Sequence, residues 1–298
     1  MKIGAFLPFA ETDDGEIADY GELRGFALQA EQSGFDSIWM ADHLLFRYPG
    51  QPTRGAWEAL TIVAALAEAT MRVELGTLVL CTSFRNPALL AKMAVNLDAI
   101  SGGRLLLGLG AGWHEPEYEA FGYPFDRRVD RFEEAMQIIA PLLREGRVDF
   151  AGKYYSAKNC EITPRGPRPQ GPAILIGSSG PRMLGILARY ADAWNTCWLG
   201  QPALGPLAER RAALEAACRD AGRDPASVAV TVGVTVACPG YDKPIDPAKM
   251  LSGTAEQIAA GLREYDALGV AHVILWPQPN TRDGLAHVAE AVRVYRAG

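Results

Sequence analysis

Eight short apolar runs, separated by longer stretches of helical periodicity, restrict this chain more than any other feature of its sequence. The runs are Ile3 to Leu7, Ser37 to Met40, Val73 to Leu80, Leu105 to Leu109, Ala173 to Ile176, Ala193 to Trp198, Val228 to Val236 and Ala271 to Trp276. Strands covered on both faces read as nearly continuous apolar runs, and a helix after each strand is the pattern of βα units around a parallel sheet. Eight such units predict an α/β fold, a (β/α)8 TIM barrel, and 298 residues suit one barrel carrying insertion segments. No linker or internal repeat divides the chain, so residues 1–298 are expected to form a single domain.

The intervening segments support this pattern. Leu23, Phe26, Ala27 and Ala30 share one helical face, and Gly34 stands where a helix C-terminal cap is expected. Phe132, Ala135, Met136, Ile139 and Leu143 form a second stripe, and Thr254 with Gln257 spells a capping box ahead of Ile258, Leu262 and Tyr265. Residues 146–172 and 237–253 exceed what a minimal barrel needs and are rich in proline and glycine, which reads as long loops. The second of them follows the seventh run, on the side where barrel enzymes carry their chemistry.

Composition narrows the ligand. The net charge is -6 and no run of basic residues occurs, which argues against nucleic acid or an anionic membrane as partner and for a small molecule. Five cysteines, odd in number and without a C-x-x-C spacing, encode neither a disulfide framework nor a zinc ribbon. The apolar start of the chain gives way to Glu11, Asp13 and Asp14 too soon for a signal peptide, and a cytoplasmic location is expected. A metal centre would need clustered histidine and carboxylate ligands, and none is evident, so no metal is expected.

Three segments carry chemistry. Gly108-Leu109-Gly110-Ala111-Gly112 follows a strand, but the third glycine of a dinucleotide fingerprint would fall at Trp113. The glycines then mark either a tightly packed strand end or the close approach of a flat ligand. Gly177-Ser178-Ser179-Gly180 runs from the fifth strand into Pro181, the expected first residue of a helix, so free amide hydrogens and hydroxyls there suit a phosphate, with Arg182 adding charge. Asp42-His43 ends the second strand, where a barrel places reacting groups, and His114 and Glu115 after the fourth are further acid–base candidates or helix caps.

In these and other segments the chain resembles the luciferase-like monooxygenase superfamily of flavin- and deazaflavin-dependent barrels. The matching pieces are Gly34-Phe35-Asp36-Ser37-Ile38-Trp39-Met40-Ala41-Asp42-His43, Leu75-Gly76-Thr77-Leu78-Val79-Leu80 with Asn86-Pro87, Leu97-Asp98-Ala99-Ile100-Ser101-Gly102-Gly103-Arg104, Gly108 to Trp113, and Ile174 to Gly180 with Ala191-Asp192-Ala193-Trp194-Asn195. The resemblance implies a cofactor, coenzyme F420 or FMN, whose ring rests on a bulge made by a non-prolyl cis peptide at Leu78-Val79. It implies a phosphate site at Ser178, Ser179 and Gly180, with Asp42, Gly110 and Gly177 close to the cofactor. Asp42 and His43 match the deazaflavin branch, in which the histidine stands beside the reactive face of the ring. In the sugar-phosphate dehydrogenases of that branch a glutamate directly follows the strand-four glycines. Trp113 stands there in this chain, and Glu115 is the nearest candidate to replace it.

The resulting expectation is an F420-dependent hydride transfer to or from a small organic substrate, with His43, Asp42 and Glu115 as catalytic candidates. The alternatives are an FMN-dependent monooxygenase using reduced flavin and oxygen, and a non-catalytic flavin-binding protein. Phe46, Trp57, Trp113 and Trp198 are expected to wall an apolar substrate pocket, with Arg47, Arg54 and Arg85 nearby for a single anion. The resemblance further implies a homodimer and a separate flavin or F420 reductase as partner.

Overall fold

The computed structural model describes all 298 residues. Each of the eight apolar runs becomes a strand: β1 (Lys2–Phe6), β2 (Ser37–Met40), β3 (Glu74–Thr77), β4 (Leu105–Gly110), β5 (Ala173–Gly177), β6 (Ala193–Leu199), β7 (Ala229–Ala237) and β8 (His272–Gln278). Each pairs in parallel with its successor, for example Gly4 with Ser37, Ile38 with Leu75 and Leu107 with Ile174, and Lys2 beside His272 closes the ring. The helices are α1 (Tyr20–Gln32), α2 (Ala59–Ala69), α3 (Pro87–Ile100), α4 (Glu115–Phe121), α5 (Arg128–Arg144), α6 (Pro181–Tyr190), α7 (Leu207–Asp220), α8 (Ala255–Ala267) and α9 (Arg282–Ala297). The result is the expected (β/α)8 barrel.

Local chemistry sets the helix ends. Asp19 and Glu22 cap α1 reciprocally, its stripe of Leu23, Phe26, Ala27 and Ala30 is buried, and Gly34 just beyond takes φ +88°. Thr254 and Gln257 form the predicted capping box of α8. Inside the barrel the Trp39 indole lies between the flanking strands, where Gly4 and Gly76 leave room for it: a Cβ on either would strike the ring. The indole N–H donates to Ser37 Oγ at 2.6 Å, and that oxygen lies 2.8 Å from His272 Nε2. Burial, with Lys2 and the N-terminal ammonium nearby, pushes the His272 pKa down to about 3, so the barrel interior holds a neutral imidazole.

Two expectations need correction. The run Val73 to Leu80 is not one strand, because β3 ends at Thr77 and the chain passes through a cis Leu78–Val79 peptide before Leu80–Cys81 rejoins β4 beside Leu109 and Gly110. Residues 146–172 are not all loop: Arg147–Ala151 and Ser156–Glu161 pair as an antiparallel hairpin. The Glu134 carboxylate of α5 accepts the amide hydrogens of Lys153, Tyr154 and Tyr155, which fixes the tip of that hairpin. Its strands carry few large apolar residues, so the run-based reading passed over them.

Candidate active site

All eight strands deliver residues to one cavity of about 1530 Å3 at the carboxyl end of the barrel. Its walls come from Phe6 and the residues after β1, from Asp42 and His43, from Leu78 and Val79, and from Gly110 to Trp113. Gly177 to Gly180, Asn195 to Trp198, Gly240 to Lys243 and Trp276 to Thr281 complete it. The volume is above the usual range for a drug-sized ligand and suits a cofactor together with a substrate.

The glycines of β4 face the bulge that follows β3. A Cβ on Gly108 would collide with the Thr77 carbonyl oxygen, and one on Gly110 would stand 2.6 Å from Val79 Cγ2. Gly177 of β5 faces the same Val79 side chain, 3.1 Å from its would-be Cβ. Tight packing of strand ends thus accounts for these glycines, and the bulge they admit lines the cavity through Leu78 and Val79.

Asp42 and His43 leave the end of β2 in different directions. The buried Asp42 carboxylate accepts the Cys81 amide at 2.9 Å and both terminal nitrogens of Arg85, at 2.6 and 2.9 Å. Burial opposes the Arg85 charge, but hydrogen bonds and attraction from Asp42 and Glu58 outweigh it and raise the Arg85 pKa. Asp42 therefore ties the residues after the bulge to β2, with both of its oxygens engaged. His43 is the cavity's histidine. Its Nδ1 lies 3.0 Å from Glu117 Oε1, and its ring packs against Phe46, Phe9 and Trp113 at centroid distances of 4.4, 6.3 and 5.5 Å.

The structure also corrects Glu115. It is exposed at the start of α4 and does not reach the cavity, whereas Glu117 is 1% exposed and lines it. Two positions along a helix turn a side chain by about 200°, so only one of the two can face inward. Glu117 Oε2 also accepts the Leu44 amide at 2.9 Å. His114 is buried outside the cavity lining, accepts the Arg47 amide at Nε2, and burial lowers its pKa. It makes no side-chain cap to α4.

Of the expected aromatic walls, Phe46, Trp113 and Trp198 line the cavity and Trp57 does not. Trp57 lies 39% exposed outside it, with its indole N–H donated to the Ala18 carbonyl. Phe6 and Trp276, absent from the sequence expectations, pack against Trp198 edge-on and tilted, at centroid distances of 5.1 and 4.7 Å, and extend the apolar wall. Arg85 is occupied by Asp42 and Glu58, and Arg47 donates to Thr53 and does not reach the cavity. Arg54 stays at the mouth, where Asp13 bridges it and Lys243 at 2.6 and 2.8 Å, joining the segments after β1, β2 and β7.

The phosphate candidate keeps its place with different cations. α6 starts at Pro181 after Gly180 and has no side-chain cap, so its first-turn amides, Arg182 and Met183, have no carbonyl partner within the helix. The Arg182 side chain turns away to Asp130 and Glu133. Arg128 and Arg210 line the cavity instead, Arg128 lying over the Phe125 ring at 3.8 Å and donating to the Phe125 carbonyl, Arg210 donating to the Thr196 hydroxyl and the Cys197 carbonyl. Next to this region Asn195, 1% exposed, donates to Thr231 while its Oδ1 is buried without a partner. An orphaned acceptor in the cavity wall calls for a ligand donor. A ligand with a hydroxylated chain ending in an anion fits this sequence of groups, and the aromatic walls fit a flat ring system, so the residues suit F420 or FMN.

The fold and the cavity define a (β/α)8 barrel with one large site over its carboxyl-terminal end, bulged after β3 and built for a flat ligand with an anionic tail. A family model described as luciferase-like monooxygenase matches residues 1–240, and the chain belongs to that family. It is 34% identical over 255 residues to pyrimidine monooxygenase RutA of Agrobacterium fabrum, covering 78% of this chain and 67% of that protein. It is 35% identical over 175 residues to an F420-dependent glucose-6-phosphate dehydrogenase of Amycolatopsis mediterranei, covering 57% of this chain and 50% of that one. The chain thus spans about half to two thirds of the length of these curated relatives. Among solved structures, an F420-dependent secondary alcohol dehydrogenase in complex with an F420-acetone adduct superposes with a TM-score of 0.81 at 21% identity, over 99% of both chains. The F420-dependent tetrahydromethanopterin reductase of Methanopyrus kandleri gives 0.79 at 18% identity, over 99% of both chains. Likeness at these identities is likeness of fold.

Proposed function

We propose that this chain is an oxidoreductase that uses coenzyme F420 to move a hydride to or from a small, mainly apolar organic substrate. The observation that carries the reading is His43, paired through Nδ1 with buried Glu117 and lining the same cavity as the bulge and the α6 N-terminus. A deazaflavin accepts or donates hydride at one ring carbon and does not need oxygen. Around it the chain's own residues have separate tasks. Leu78 and Val79 present the surface on which a ring rests; Asn195, Ser178, Ser179 and the first-turn amides of α6 hold the chain and its anion; and His43 takes up or releases the substrate's proton. Asp42 and Arg85 keep the bulge in register. Phe46, Trp113, Trp198 and Trp276 exclude water from the reacting face and offer few partners to a polyhydroxylated substrate. The F420-dependent glucose-6-phosphate dehydrogenase among the relatives supports the choice of cofactor.

A second reading is an FMN-dependent monooxygenase, favoured by the RutA match, which covers more of this chain than the dehydrogenase match does. It would need a reductase to supply reduced flavin. The test is anaerobic oxidation of reduced F420 followed by absorbance, with a panel of apolar enones, aldehydes and sugar phosphates. Turnover of the apolar compounds without oxygen supports the proposal. Turnover only with FMN and oxygen supports the second reading; reaction confined to sugar phosphates overturns the substrate class; and no turnover with either cofactor supports a non-catalytic carrier. A homodimer is part of the proposal, and sedimentation as a monomer at micromolar concentration would contradict it.

A further inference from the structure

We propose that Glu117 is the positioning residue that assigns the protons of His43, holding Nδ1 as the N–H end of the ring and leaving Nε2 as the end that exchanges a proton with the substrate. The inference deepens the reading of His43 given above, but the arrangement belongs to the chain alone. The Glu117 side chain is 2% exposed, and each oxygen has one donor in reach, His43 Nδ1 at 3.0 Å and the Leu44 amide at 2.9 Å. A carboxylate only accepts, so the hydrogen in the first bond sits on Nδ1 and the neutral ring carries its lone pair on Nε2. The rings of Phe9, Phe46 and Trp113 surround the imidazole and carry no charge.

The other ionisable groups near the ring are already engaged. Asp42, next in the chain, spends both oxygens on Arg85 and the Cys81 amide. His114, from the segment before α4, accepts the Arg47 amide, and Cys81 has its thiol pushed up to about 12 by burial, so neither competes as an anion. Glu117 is thus the carboxylate in contact with the ring. When Nε2 takes a proton, the imidazolium forms against an anion already in place, and when Nε2 gives it up, the same bond returns the ring to its starting tautomer. Replacing the carboxylate by an amide offers the ring a donor as well as an acceptor, so the tautomer loses its bias.

The experiment uses the full chain with 15N-labelled histidine and no cofactor. Two-bond 1H–15N correlation reads the tautomer of each of the four histidines, and His43 is assigned by the signals lost in His43→Gln. The expected result is an Nδ1–H tautomer for His43 in the wild type, and mixed tautomers in Glu117→Gln. Glu117→Asp, which keeps an acceptor-only partner, should restore the Nδ1–H tautomer. An Nε2–H tautomer in the wild type, or an unmixed Nδ1–H tautomer in a folded Glu117→Gln, overturns the proposal. Should Glu117→Gln fail to fold, the tautomers of the wild type and of Glu117→Asp decide. F420 titration of the same samples separates the two claims, since failure of the wild type to bind sinks the cofactor reading and leaves the proton assignment to stand or fall by NMR.

Discussion

Asp42 and His43 are neighbours in the chain with unlike partners, Arg85 for one and Glu117 for the other. A strand end was enough to mark the pair in the sequence. Their division of labour was not legible there, because the partners lie 43 and 74 residues away and neither neighbours the pair in sequence. The division predicts different mutant phenotypes. His43→Ala should lower turnover by about 10²-fold to 10⁴-fold, while cofactor affinity measured by spectral titration changes far less. Loss of affinity with unchanged turnover of bound cofactor would make His43 a binding residue. Asp42→Ala should instead destabilise the fold, by about 3 kcal/mol in urea unfolding, since it leaves a buried guanidinium with Glu58 as its remaining partner. A stable Asp42→Ala with normal cofactor binding and no turnover would show that Asp42 takes part in the chemistry after all.

Among the elements, strands announced themselves through apolar runs and helices through their stripes and caps, whereas short or polar elements did not. The hairpin over Arg147–Ala151 and Ser156–Glu161 is a case in point, because one of its faces is solvent and the other needs little apolar surface. The two-residue offset between Glu115 and Glu117 is another: which of them faces inward depends on where α4 starts, and helix starts are the least certain feature of a sequence reading. At α6 the strand, small-residue turn and proline were legible, but the direction of Arg182 was not, since Asp130 and Glu133 come from another helix. Replacing Ser178 and Ser179 together by glutamate should weaken cofactor binding by at least about tenfold, through repulsion at amides that suit an anion. A dissociation constant unchanged in that variant would move the anion elsewhere.

Over the whole molecule, the barrel was the most legible feature because eight strands in order leave few other ways to close a parallel sheet. The buried Trp39, Ser37 and His272 set adds a pH dependence to its stability. His272 has its pKa lowered from 6.5 to about 3, so the unfolded chain binds a proton there below about pH 6.5 that the folded chain refuses until about pH 3. Stability should be full above that range and fall as pH drops through it, with buried His114 contributing in the same direction. Melting temperature measured between pH 7 and about 4.5, above the range in which most carboxylates titrate, should therefore decline, and His272→Asn should flatten the decline. A flat wild-type profile would contradict a neutral buried imidazole. The central claim, that the cavity holds a deazaflavin, is tested most directly by the absorption spectrum of the purified chain reconstituted in turn with F420 and with FMN. Saturable binding of F420 with a perturbed ring absorbance, and much weaker binding of FMN, is the expected result. Saturable binding of FMN with none of F420 would contradict it.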